Sequence, residues 1–297
     1  MQKAAAIREA FPITQIQELP TLPDIYSRLV AQIDTDSAHV SVSDIEQIIR
    51  QDPVLTATVL RVVSSPLYGA HRAVLTVAQA VRLLGFDALR HMVLAVSVIS
   101  LFQREQDSLL PPLAYWQHCL GTAVAARQIA LQLGAEQPEE FFVAGLLHDL
   151  GKLVHSQYFS ENFEKALALA ATERLPLVDA EEQLFGFSHA DTGGFLLAQW
   201  GLAPVLQRAV LMHHAPLPPT QEAFSLHEYV VHCADCISLG LGLGRSGSHA
   251  FPNFLPLSWE ILHLSQGHLA KIVQATRAEF VALQTILLDP KPSAEHR

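Results

Sequence analysis

At 297 residues, half of them hydrophobic, the chain is long enough for one large helical domain or two of ordinary size, so a packed globular core is expected. Its 19 basic and 29 acidic residues leave a net charge of −10, which argues against a global electrostatic footprint for nucleic acid. No apolar run reaches the roughly 20 residues of a membrane span, MQKAAAIREAF lacks the pattern of a secretory signal, and Cys119, Cys233 and Cys236 form no disulfide framework, so a cytoplasmic protein without membrane or nucleic-acid partners is expected.

Helical periodicity dominates from one end to the other, and no stretch alternates like a strand. Ser43-Asp44-Ile45-Glu46 reads as a capping box opening SDIEQIIRQ, with Ile45, Ile48 and Ile49 on one face. Asp52 and Pro53 read as the N-cap and first position of the next helix, which faces a core through Leu55, Val59, Leu60, Val62 and Val63. Thr76 to Leu84, Gly85, then Asp87 to Leu101 reads as helix, turn, helix. The second of these is too apolar to enter a DNA groove, so two packed core helices are expected.

The polar stretch Gln103 to Pro112 ends in a double proline and is read as the boundary between an N-terminal lobe, 1–107, and a second lobe, 108–290, with a frayed tail at 291–297. Helices are expected in the second lobe near 113–133, 138–150, 160–172, 178–185, 188–200, 203–214 and 225–240. A Gly-, Ser- and Pro-rich loop follows from Gly240 to Pro256, then one or two closing helices from Ser258 to about Leu288. The expected fold class is all-α.

The 15 histidines are the most informative feature. Several, with two acids, stand inside otherwise apolar helices: His118 in YWQHCLGTAVAARQIA, His148-Asp149 in AGLLHDLGKL, His189 in FGFSHADTGGFLLAQW, His213-His214 in QRAVLMHHAP and Asp235 in VVHCADCISLG. One such residue is ordinarily a hydrogen-bonded core group. So many together ask for a shared partner, and a divalent metal suits neutral imidazole and carboxylate. Neighbours on a helix point about 100° apart, so His148 and Asp149 can face one ion only near a helix end, which Gly151 is expected to supply.

The order His118, then His148-Asp149 30 positions later, then Asp235 resembles the H…HD…D pattern of the HD superfamily of metal-dependent phosphohydrolases. The wider pattern resembles the HDOD family, the HD-related output domains of bacterial signalling proteins. It is carried by LPTLPDIYSRL, IIRQDPVLTATVLRVVSSPLYG, TVAQAVRLLGFDALRHMVLA, AGLLHDLGKLV and FGFSHADTGGFLLAQWGLAPVLQRAVLMHH, from about Ile13 to Pro216. The resemblance implies an N-terminal helical bundle packed on an HD-like bundle. It implies a signalling output role, with a signalling protein or a small phosphate-containing ligand as partner. Many HDOD members have lost HD ligands; this chain keeps His118, His148, Asp149, His189, His213, His214 and Asp235.

On that resemblance one metal, iron, zinc or manganese, would be held by His118, His148, Asp149 and Asp235. A second would be held by His189, His213 and His214, with Asp149 able to bridge. Catalysis would fall to Asp149 and to Lys152, which lies four residues after His148 and would contact phosphate; otherwise Lys152 is a solvated lysine at a helix C-terminus. Two departures stand out. Ser64-Ser65 replaces the family's Asn-Ser, and APLPPTQEAF follows His213-His214 without Gly-Tyr-Pro, so cyclic di-GMP hydrolysis is not implied.

Gly242 to Gly247 fits G-x-G-x-x-G without a preceding strand and is read as a loop that would cover the site. Cys233 and Cys236 are read as buried thiols, and His227, His232, His249, His263 and His268 as surface or core histidines.

Overall fold

Capping chemistry sets where the first helices begin. The computed structural model describes residues 19–35, 41–69, 72–103, 108–216, 225–247 and 254–288. Helix α1 spans Asp24–Thr35 and α2 spans Val42–Ile49. The Ser41 hydroxyl accepts the Ser43 N–H at 3.2 Å, so α2 starts before the Ser43 capping box read from the sequence; the earlier serine already satisfies a free donor of the first turn. Helix α3, Pro53–Val63, starts as its sequence indicates, with Asp52 Oδ1 accepting the N–H groups of Val54 and Leu55 at 2.9 Å. Where the family's asparagine is replaced, the Ser64 hydroxyl donates to Leu60 O at 2.7 Å and accepts the Val74 N–H at 2.9 Å, tying α3 to the chain leading into α4.

Helices α4, Val77–Leu84, and α5, Phe86–Phe102, are bent by 119° at Gly85, whose φ of +83° is costly for other residues. The apolar sequence of α5 is explained by packing, since it is buried almost continuously from Leu89 to Ile99. Among the described residues no single helix is long and apolar enough to cross a membrane, and there is no strand.

The rest of the chain builds a helical bundle around α6, Pro112–Gln132. There follow α7 (Pro138–Leu147), α8 (Leu150–Tyr158), α9 (Ser160–Glu173), α10 (Leu177–Phe185), α11 (His189–Gln199), α12 (Pro204–Met212), α13 (Leu226–Gly240), α14 (Pro256–Ile261) and α15 (Gln266–Leu287). Helix α6 is buried on nearly every face, under α7, α13 and α15. Helix α15 also reaches back to the N-terminal helices, where Arg61 donates to Ile286 O at 3.0 Å and Gln103 to Leu287 O at 3.3 Å. One apolar cluster runs from Tyr26 through α5 and α6 to Leu288.

Gly151 does not end a helix, contrary to the sequence reading. The break falls two residues earlier, at His148-Asp149, and Gly151 lies in the first turn of α8, a helix the sequence reading left out. Its role is close approach: a Cβ there would overlap the carbonyl oxygen of His189 and the amide of Gly193. Two facing glycines, Gly151 and Gly193, let α8 and α11 cross nearly backbone to backbone, which carries His189 to Asp149.

Candidate metal centre

The seven residues singled out from the sequence meet in one buried place. His118 projects from the middle of α6, with Nε2 3.1 Å from Asp235 Oδ1 on α13 and 3.5 Å from Asp149 Oδ2. His148 closes α7; its Nδ1–H donates to Gly145 O at 2.7 Å, which leaves Nε2 facing Asp149 Oδ2 at 3.4 Å and His118 Nε2 at 3.3 Å. Asp149 stands between α7 and α8, and this break in the helix turns the adjacent His148 and Asp149 side chains toward a common centre.

The other carboxylate oxygen of Asp149 faces a second group. His189, first residue of α11, brings Nε2 within 3.3 Å of Asp149 Oδ1, and His213 brings Nε2 within 3.7 Å of it. His213 and His214 follow the end of α12 at Met212 instead of lying within the helix. The Nδ1–H of His213 donates to Val210 O at 2.7 Å, and His214 Nε2 lies 2.9 Å from His189 Nε2. Ligand atoms of Asp149, His189, His213 and His214 lie within 4.8 Å of one another, as do those of His118, His148 and Asp235.

Charge and tautomer make this a donor set for a cation. Burial opposes ionisation of Asp149, but His148 and Lys152 beside it hold its carboxyl well below the usual range. Asp235, despite burial, is brought down to about 2 by the imidazoles of His118 and His148 beside it. Burial and neighbouring imidazoles push His213 and His214 well below the ordinary histidine value, so both are neutral with lone pairs to offer. His148 and His189 are raised against burial by Asp149 and Glu181 respectively.

Asp149 Oδ1, Asp235 Oδ1 and His213 Nε2 are buried without hydrogen-bond partners among the described residues. With Nδ1–H donated to Val210 O, neutral His213 turns the lone pair of Nε2 toward Asp149 Oδ1, and two acceptors meet favourably only with a proton or a cation between them. Imidazole and carboxylate together suit zinc, iron or manganese.

The HDOD domain profile matches residues 19–216, two thirds of the chain. The chain belongs to the HDOD family. Asp235 alone among the seven residues lies beyond the matched span. Across 97% of this HDOD chain and 99% of the other, the fold superposes on an HDOD domain protein of unknown function from Geobacter sulfurreducens, with 28% identity and a TM-score of 0.79. A candidate phosphohydrolase from Shewanella amazonensis SB2B shares the fold at TM-score 0.72, with 22% identity over 93% of this chain and 97% of that one. A candidate signal transduction protein from Marinobacter aquaeolei VT8 does so at 0.74, with 21% identity over 97% of this chain and 67% of that one. An uncharacterised Treponema pallidum (strain Nichols) protein is 25% identical over 209 residues, 70% of this chain but only 40% of its own length.

Further groups surround the HDOD centre. Lys152 is no solvated helix-end lysine: it is 3% exposed in the first turn of α8, donating to Asp149 Oδ2 at 2.7 Å and to Ser246 Oγ at 3.0 Å. The glycine-rich stretch Gly242 to Gly247 lies across the centre. The Arg245 N–H donates to Ala114 O at 2.8 Å, and Gly244 sits so close to α6 that a Cβ would overlap Ala114 O and His118 N. Between this strap, Leu239, Leu177 and the ligands remains a chamber of about 20 Å³, room for about one water.

Glu181 and His155 are not among the residues singled out from the sequence, and His232, read there as a surface or core histidine, is buried. Glu181 Oε2 accepts the His189 N–H at 2.9 Å and the His189 Nδ1–H, while its Oε1 accepts His155 Nδ1–H at 3.1 Å. His232 donates from Nδ1 to His213 O at 2.7 Å and accepts the Leu255 N–H at 3.0 Å. The available signal was helical phase. His155 stands one turn after Lys152 on α8, and buried Glu181 differs from exposed Glu182 only by the face it occupies. His249 and the tail 291–297 lie outside the described residues. Cys119 and Cys233 are buried free thiols, and Cys236 is half-buried.

Proposed function

We propose that this HDOD chain is a cytoplasmic output protein of bacterial signal transduction whose HD-like bundle holds a centre of one or two divalent metal ions. His118, His148 and Asp235 would hold one ion, and His189, His213 and His214 the other, with Asp149 shared. The observation that carries the reading is the division of Asp149: Oδ2 faces His118 and His148 at 3.5 and 3.4 Å, and Oδ1 faces His189 and His213 at 3.3 and 3.7 Å. The N-terminal lobe would meet the signalling partner.

Elemental analysis of protein purified without chelators tests it. Near-stoichiometric metal that is lost in Asp149→Ala, whose carboxylate both ions would share, is the expected result, and a metal-free wild type overturns the reading.

A second reading, a metal-dependent phosphohydrolase acting on a nucleotide or another phosphate ester, is supported by the completeness of the ligand set and by buried Lys152. A divalent centre would supply an acidified water and neutralise charge on phosphoryl oxygens. Asp149 would orient it, and the Lys152 ammonium, released from Ser246, would contact phosphate. The chamber is small, about 20 Å³, so a phosphate ester would reach the centre with the strap displaced. Turnover of phosphomonoesters, phosphodiesters or nucleotides by the metal-loaded protein would establish this reading, and none would remove it.

A further inference from the structure

The two halves of the centre are supported by chemically different groups. In the half made by His118, His148 and Asp235, His148 Nδ1–H donates to a peptide carbonyl, Gly145 O, and His118 Nδ1 has no hydrogen-bond partner among the described residues. In the other half, His189 Nδ1–H donates to a whole buried carboxylate, Glu181, which also accepts the His189 backbone N–H. A carboxylate on the remote nitrogen draws the ring proton toward itself, enriches the lone pair on the metal-facing nitrogen and fixes the ring plane; a peptide carbonyl does so more weakly.

Glu181 is itself locked. Its second oxygen accepts His155 Nδ1–H, and His155 Nε2 lies 2.7 Å from Thr192 Oγ1. The His155 ring is walled by Phe159, Phe163, Phe185 and Phe187, with centroids 5.2 to 6.0 Å away. Among the described residues, Glu181, His155 and Thr192 make no hydrogen bond to His118, His148 or Asp235. Thr192 and His189 share α11 and Glu181 precedes it on α10, so the support is local to the second half.

We propose that Glu181 is a positioning residue that makes the half formed by Asp149, His189, His213 and His214 the tighter metal position, the one filled first. The inference rests on the metal-centre reading. Metal-free wild type titrated with Co(II), followed by calorimetry and by the visible bands of the bound ion, is expected to take up two ions in distinguishable steps.

In Glu181→Gln, which keeps size but loses the charge, the tighter step is expected to weaken by about 10- to 100-fold while the looser one stays within about twofold. His148→Ala, in the other half, is expected to abolish the looser step and leave the tighter one in place, which tests the assignment even if Glu181→Gln does not fold. Wild type that binds no Co(II) overturns both this proposal and the metal-centre reading. Wild type that binds two ions, with Glu181→Gln weakening both steps equally, neither step or only the looser one, or with His148→Ala removing the tighter step, overturns this proposal alone. A purely structural role for Glu181 would lower the melting temperature without separating the two steps.

Discussion

Lys152 Nζ lies 2.7 Å from Asp149 Oδ2, one turn along α8, with both side chains shut away from solvent. The ammonium therefore stands as a counter-ion on the same oxygen that faces His118 and His148. A buried carboxylate stripped of its counter-ion is strongly destabilising, so the pair couples stability to whatever positive charge the centre contains.

In Lys152→Met the metal-free protein is expected to lose about 3–5 kcal/mol, the usual cost of breaking a buried pair from one side. Loading with Zn(II) should restore a large part of it, because a cation between Asp149 and the histidines takes over the role of the ammonium. Thermal melts with and without metal measure this; an equal loss in both would show that Lys152 and a cation do not share Asp149.

Gly151→Ala places a methyl against the His189 carbonyl and the Gly193 amide, both backbone atoms that cannot rotate away. The α8–α11 crossing must open, at a cost of about 3 kcal/mol or more, the upper range for overpacking. His189 moves from Asp149 with it. Stability in chemical denaturation and metal content should fall together, whereas Ala substitution at Gly267 on α15, where a Cβ makes only an ordinary contact, should leave metal content unchanged.

Gly244→Ala tests the strap. Gly244 combines a φ of +77° with contact against α6 at Ala114 O and His118 N, so a side chain there is strained in both respects. The expected cost is about 1–3 kcal/mol, met by lifting the strap off the chamber. Chelator should then strip metal faster, and limited proteolysis should cut between residues 241 and 247 more readily than in the wild type.

His91 gives stability a pH dependence away from the centre. It is buried on α5, and burial, with Arg90 adding to it, brings its pKa from 6.5 down to about 4. A lowered folded-state pKa means that the unfolded chain binds the proton more readily in that interval. Stability from this group is thus intact above about pH 6.5 and falls as pH drops toward 4, by about 3 kcal/mol across the interval. Urea unfolding of wild type and His91→Leu between pH 7 and pH 4.5 should show a flatter profile for the variant; parallel profiles would refute the assignment.

Much of the helical architecture was legible because helix starts are written in adjacent residues. Asp52-Pro53 caps α3 through two hydrogen bonds made within three residues, and Gly85 breaks α4 from α5 through its own backbone angle. The candidate ligands were legible for a related reason, since imidazoles and carboxylates in apolar stretches are costly without partners. Misreadings occurred where the partner is distant in sequence. Gly151 resembled a helix terminator because glycine often is one, and only the approach of α11, some forty residues later, reveals it as a contact residue. Glu181 and His155 passed as ordinary helical residues for the same reason, and Lys152, already a candidate for phosphate contact, shows its partners Asp149 and Ser246 only in the fold.

By itself, then, the sequence determined an all-helical chain, its HDOD pattern and the seven polar residues embedded in apolar surroundings, because capping and periodicity act within a turn or two. The tertiary structure alone decided that α6, the α7–α8 break, α11, the end of α12 and α13 aim those residues at one point. It also decided that Asp149 divides its oxygens between two groups, and that Glu181 supports only one of them. These are matters of direction between helices, set by where glycines allow close approach and where side chains hold helices apart, and no local spacing encodes them.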